Sequence, residues 1–105
     1  MSQSRSTEET EAIEALAADI GDRVYLDIAR WHLYLKDARL HTQVAQQAYD
    51  LVRKGPPIEA EALDILRQIA VEVGGGRRQI PLLDLIPLQG QVAFLDVLEA
   101  FQRRL

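Results

Sequence analysis

Trp31-His32-Leu33-Tyr34-Leu35 lies near the middle of a proline-free run from Met1 to Gly55, and its reading decides the fold. Around it Ile13, Ala17, Ile20, Val24, Ile28, Trp31 and Leu35 recur at steps of three and four, the spacing of one face of an α-helix. The phase crosses Gly21 without a break. It predicts a long first helix, continuous or kinked through Lys36, as the organising element. Gly21-Asp22 is the competing end, since glycine costs about 1 kcal/mol in a helix interior.

Toward the N-terminus, Ser6 or Thr7 can cap this helix, and Glu8, Glu9 and Glu11 complement the helix dipole in its first turns. Toward the C-terminus the phase slips, because Leu40 opens a new stripe with Val44, Ala48 and Leu51. Lys36-Asp37-Ala38-Arg39 therefore reads as a bend or tight turn. The second helix closes at Lys54-Gly55-Pro56-Pro57, where basic residues precede glycine and proline. A third starts near Pro57, with Ile58, Ala62, Ile65 and Ile69 on one face and Glu59 and Glu61 in its first turn.

Beyond it, Ile69 to Val73 alternates like a strand, Gly74-Gly75-Gly76 can turn it, and Arg78-Gln79-Ile80 can return antiparallel. Such a hairpin needs helices to pack against. Pro81-Leu82-Leu83-Asp84-Leu85-Ile86-Pro87 is too apolar for a solvated loop and reads as an irregular plug in the core. The last helix spans about Leu88 to Arg103, with Phe94, Leu98, Phe101 and Leu105 on one face. The expected fold is mainly α: a compact bundle of about four helices around the long first one, with a short β-hairpin at Gly74–Gly76. It forms a single domain over residues 1–105, with residues 1–6 disordered.

The chain has 105 residues, 48% hydrophobic and 27% charged, a globular mixture able to bury roughly two-thirds of its unfolded surface. The absence of cysteine excludes disulfides, thiolate metal sites and cysteine nucleophiles. No segment reads as a membrane span or a secretory signal; the most apolar window, Gln79 to Leu95, carries Asp84 and two prolines. Of the net charge of -4, all comes from residues 1–30, which hold seven acids and three bases. That surface suits neither nucleic acid nor anionic lipid, which are held by clustered Lys and Arg.

Several groups could carry function. Trp31 and Tyr34 are candidate interaction anchors, with Tyr25, His32, His41 and Tyr49 nearby in sequence; amphipathic aromatics are also ordinary core residues. His32 and His41 are candidate ligands for a haem, pigment or metal. On a continuous helix nine residues turn by about 900°, which sets them on opposite sides unless the chain doubles back near Asp37. Asp37 could cap a helix or steady His41. Arg77 and Arg78, after three glycines, could clamp an anion or an acidic partner, yet no phosphate-loop motif accompanies them and a flexible soluble turn suffices. No catalytic constellation and no metal site stands out, and no cofactor is called for.

Two segments carry a resemblance: Trp31-His32-Leu33-Tyr34-Leu35-Lys36-Asp37-Ala38-Arg39-Leu40-His41-Thr42, and Gly74-Gly75-Gly76-Arg77 followed by Ile80-Pro81-Leu82-Leu83-Asp84-Leu85-Ile86-Pro87. Together they resemble a small family of unknown function found in cyanobacteria, over most of the chain after about residue 15. The resemblance implies a setting near thylakoid membranes and no established activity. The expectation is a non-enzymatic accessory or adaptor protein that binds another protein, cytoplasmic or peripheral at the cytoplasmic face of those membranes. A homodimer is compatible with the apolar surplus at Leu26, Leu33 and Tyr34. The alternative is a helical protein holding a tetrapyrrole, pigment or metal through His32 or His41.

Overall fold

Ser6 starts the first helix: its hydroxyl accepts from the Glu9 N–H at 3.1 Å, while the Glu9 carboxylate accepts from the Ser6 N–H at 3.4 Å. This reciprocal box satisfies two donors that a helix start leaves orphaned. The computed structural model describes residues 5–28 and 30–105. The disorder expected for residues 1–6 thus falls outside the described residues as far as Ser4. Arg5 is held, donating to both oxygens of Asp50 at 3.2 and 3.1 Å.

Helix α1 spans Thr7–Arg23 and ends there, so the continuous helix expected through Lys36 does not form. Val24 turns extended, and strands β1 (Tyr25–Ile28) and β2 (Trp31–Tyr34) pair as an antiparallel hairpin. The physical reason is a second periodicity hidden under the first. Tyr25-Leu26-Asp27-Ile28 and Trp31-His32-Leu33-Tyr34 are aromatic and branched residues that alternate between two faces, and a hairpin buries Leu26 while wetting Asp27. Val24 and Leu35 are core residues under either reading, and the Leu35 N–H closes the hairpin on the Val24 carbonyl at 2.9 Å.

After the turn at residues 35–39, in which Arg39 takes the left-handed φ of 60°, helix α2 (His41–Val52) runs back along α1. Their antiparallel pairing is clasped at one end by Arg5–Asp50 and by Arg53–Glu9 at 2.8 Å. At the other end Gly21 admits a close approach: a Cβ there would lie 2.9 Å from Lys36 Cβ and 3.1 Å from His41 Cβ. Gly21 therefore serves close packing in the last turn of α1, which ends at Arg23, beside the Gly21-Asp22 end that the sequence offered.

Helix α3 (Glu59–Gln68) leads into the expected second hairpin, β3 (Ala70–Val73) with β4 (Arg78–Pro81), turned by three glycines of positive φ. The Pro-bracketed segment is a plug as expected, but an ordered one: it forms a short helix, α4 (Leu82–Leu85), with Leu82 and Ile86 buried. Helix α5 (Leu88–Arg104) closes the chain against α1, α2 and α3. Among the described residues this makes a mainly α architecture with two small antiparallel hairpins, not a bundle around one long helix.

A single apolar cluster joins α1, α2, α3, α4 and α5 with the first hairpin, and Phe94, Leu16, Ile20, Leu35 and Leu66 are among its largest fully buried side chains. Most of the stripes named from sequence point into it. Ile58, Leu105 and Trp31 do not, and all three stand exposed. Leu26, placed opposite the main stripe by the helical reading, is in the core at 2% exposure.

Candidate functional site

The first hairpin carries the aromatic group singled out from sequence, and its strand geometry decides which members meet. Alternation along β1 and β2 puts Tyr25, Asp27, His32 and Tyr34 on the outer face, with Leu26, Ile28 and Leu33 turned to the core. Across the strands Tyr25 pairs with Tyr34 and Asp27 with His32. The Tyr25 and His32 rings lie 4.2 Å apart, and Tyr34 sits edge-on to both, at 5.9 Å from Tyr25 and 5.7 Å from His32. Such offset and edge-to-face contacts favour an ordered aromatic surface.

His32 Nδ1 lies 2.8 Å from Asp27 Oδ1, and the Tyr25 hydroxyl donates to Gln89 Oε1 at 3.3 Å, tying the outer face to the start of α5. The backbones also touch there, since a Cβ on Gly90 would stand 2.9 Å from the Tyr25 carbonyl oxygen. Trp31, opposite Ile28 at the far end of the hairpin, is 67% exposed. Tyr34 is 37% exposed. The structure thus brings Tyr34 and His32 together and leaves Trp31 exposed at the end of the same element.

His41 is elsewhere. It is the first residue of α2, packed against Gly21 of α1, so the chain does double back near Asp37 without bringing the two imidazoles into one environment. Asp37 neither caps α2 nor steadies His41: Leu40 is the N-cap residue, without a side-chain bond, and the buried His41 Nδ1 has no hydrogen-bond partner. Asp37 lies in the turn, where its backbone N–H bonds the Tyr34 carbonyl at 3.0 Å. His41 lines an open depression of about 290 Å³ between α1 and α2, with Ile13, Glu14, Ala17, Ala18 and Thr42. Among the described residues no three His, Asp or Glu side chains gather where they could hold a metal ion.

Arg77 and Arg78 are exposed beside the second turn and form no salt bridge among the described residues. The glycines take φ of 64°, 73° and 83°, a run only glycine adopts without strain. Glu72 Oε2 would lie 3.1 Å from a Cβ on Gly76, and a carboxylate so close disfavours an anion in the turn itself. The arginines remain available to an acidic surface.

Sequence reasoning missed Asp27, because residues five apart do not meet on a helix; the two-residue alternation of Tyr25 and Asp27 with His32 and Tyr34 held that signal. It also missed Leu88 and Val92, four apart on α5 and 73% and 48% exposed. Both lie off the Phe94–Leu98–Phe101 face, which is the sign that could have found them.

A family model described as "Protein of unknown function (DUF3181)" matches residues 13–101. The chain is 38% identical over 98 residues to the "Thylakoid-associated protein slr0729" of Synechocystis sp., covering 93% of this chain and 97% of that protein. No solved structure matches.

Proposed function

We propose, for a chain that belongs to the DUF3181 family of proteins of unknown function, a non-enzymatic accessory role: it binds another protein at the periphery of a photosynthetic membrane. The observation that carries this reading is the aromatic hairpin, where Tyr25, His32 and Tyr34 form an ordered outer face and Trp31 stands clear of the body. Aromatic side chains held rigidly at a surface bury area at low entropic cost, which is what an interface anchor needs. Arg77 and Arg78 supply contacts for acidic groups of a partner.

Two further observations support it. The relative in Synechocystis is named for its thylakoid association, and no described helix here is long and apolar enough to cross a membrane, which suits attachment from outside the bilayer.

The alternative, a tetrapyrrole, pigment or metal held through His32 or His41, has less in its favour. Among the described residues no group of three His, Asp or Glu side chains stands at either histidine, and the depression beside His41 is open to solvent.

Affinity capture from detergent extracts of source membranes tests the proposal. Wild-type protein is expected to retain a stoichiometric partner, and Tyr34→Ala or the Arg77→Ala/Arg78→Ala pair to lose it. A partner held equally by all variants, or a visible chromophore bound in place of a protein, would overturn the assignment.

A further inference from the structure

We propose that the outer edge of strand β3 is a self-association site: β3 of a second copy of this chain pairs with it, antiparallel, about a two-fold axis through Val71. The inference is independent of the aromatic hairpin and rests on where the backbone groups of the second hairpin point.

The phase of the β3–β4 ladder decides their direction. The Leu82 N–H donates to the Ile69 carbonyl at 2.7 Å, which makes Ile69 and Leu82 a hydrogen-bonded pair. Such pairs alternate along an antiparallel ladder, so Val71 with Ile80 and Val73 with Arg78 come next. Ala70, Glu72, Gln79 and Pro81 therefore turn their backbone groups outward. Proline has no N–H, and Pro81 blunts the outer edge of β4 as proline does on exposed sheet edges. Ala70 and Glu72 are exposed and keep both donor and acceptor, and among the described residues no backbone group bonds them. Helices flank the other strands, α4 at β1, α1 at β2, and α3 and α4 at β4, whereas β3 makes its extensive contact with β4 alone.

Complementarity identifies the occupant. Unpaired donors and acceptors along a strand are completed by another unpaired strand edge, and β3 of a second copy offers one. With the axis through Val71, Ala70 of each copy faces Glu72 of the other, and each facing pair exchanges two hydrogen bonds. The joined sheet carries Ile80 and Val71 of one copy, then Val71 and Ile80 of the other, in one row across its inward face. All are half-buried β-branched residues, which favour cross-strand pairing. On the opposite face Glu72 meets the small Ala70 and not a second carboxylate, so like charges do not stand opposed. The apolar surplus that the sequence offered for a dimer is spent elsewhere, since Leu26 is in the core and Leu33 packs against it.

Sedimentation of the full-length protein over a concentration series tests this. Wild type is expected to pass reversibly from monomer to dimer. Ala70→Pro removes only an outward N–H and copies on β3 the block that Pro81 makes on β4. Ile69 before it has φ of -88° and ψ of 118°, the extended region that a residue preceding proline favours. The substitution should raise the dimer dissociation constant by about tenfold or more, as the loss of a hydrogen bond from each copy implies. Circular dichroism and melting establish that the variant is folded. A second readout needs no proline, because the chain has no cysteine. Val71→Cys should form a disulfide-linked dimer on mild oxidation, since the paired Cα atoms would face each other at about 4.5 Å, whereas Gln79→Cys on the far strand should not.

Wild type that stays monomeric even at millimolar concentration overturns the inference. So does a dimer undiminished in folded Ala70→Pro, or a Val71→Cys link that forms no faster than one through Gln79→Cys. A monomer whose captured protein partner is lost on Ala70→Pro gives the edge to a foreign strand, and the second copy falls.

Discussion

The carbonyl oxygen of Tyr25 and the Cα of Gly90 approach until no side chain fits between them, for a Cβ on Gly90 would stand 2.9 Å from that oxygen and 2.8 Å from Ile86 Cγ2. This contact seats the hairpin on α5. Gly90→Ala should gain about 1 kcal/mol of helix propensity, yet backbone cannot yield as a flexible side chain does, and overpacking typically costs about 1–3 kcal/mol. The expected net effect is a loss of about 1 kcal/mol in urea unfolding, with altered Trp31 emission in the folded state. A more stable Gly90→Ala protein would show that the approach is not tight.

Leu26 and Trp31 make a paired prediction. Leu26→Ala should destabilise by about 2–5 kcal/mol, as truncation of a buried leucine does, while Trp31→Ala should stay within about 0.5 kcal/mol of wild type. A helix continuous through Lys36 would rank them the other way, with Trp31 on the buried stripe. Equilibrium unfolding of the two variants decides between the architectures.

The same pair shows what the sequence could and could not reveal. Helices α2, α3 and α5, the glycine-turned hairpin and the Pro-bracketed plug follow from local signals: caps, breakers and periodic apolar residues that act within a few positions. Residues 24–35 satisfy two periods at once, since Val24, Ile28, Trp31 and Leu35 fit a helix stripe while Leu26 and Leu33 alternate with polar neighbours. Local pattern cannot settle such a case. The tertiary contacts that do, Leu35 to the Val24 carbonyl and Gly90 to the Tyr25 carbonyl, join segments whose proximity no periodicity encodes. The candidate site was legible as a list of aromatics but not as a surface, because Asp27, His32 and Tyr34 share a face only in a strand.

Arg39 is the one non-glycine residue of positive φ among those described. Left-handed geometry costs an ordinary residue about 1–2 kcal/mol, of which glycine's greater unfolded-state entropy takes back about 0.5–1. Arg39→Gly should therefore stabilise by up to about 1 kcal/mol, and Arg39→Ala, which keeps the strain, should change little. Thermal melts of both variants check this. A gain as large from Arg39→Ala would point to charge and not backbone geometry.

Lys36 joins the turn to the end of α1 through Asp22 at 2.9 Å, and that hydrogen bond, with the carboxylate's charge, holds the ammonium above its ordinary pKa. A raised pKa means the stabilisation is fully present below the unfolded value and fades as pH climbs through the folded one. The stability difference between wild type and Lys36→Met should thus be flat across neutral pH and, on the alkaline side, shrink above about 10.4. A difference that collapses near neutrality would implicate another group.

The bond from the Leu35 N–H to the Val24 carbonyl pinches the first hairpin at its base, so the helical body is complete on either side of it. Beyond the pinch, Leu26 lies in the core and Ile28 and Leu33 pack against it, while Asp27, Trp31 and His32 are exposed. The exposed positions of the hairpin can therefore change without a cost in the core, while its inward positions cannot.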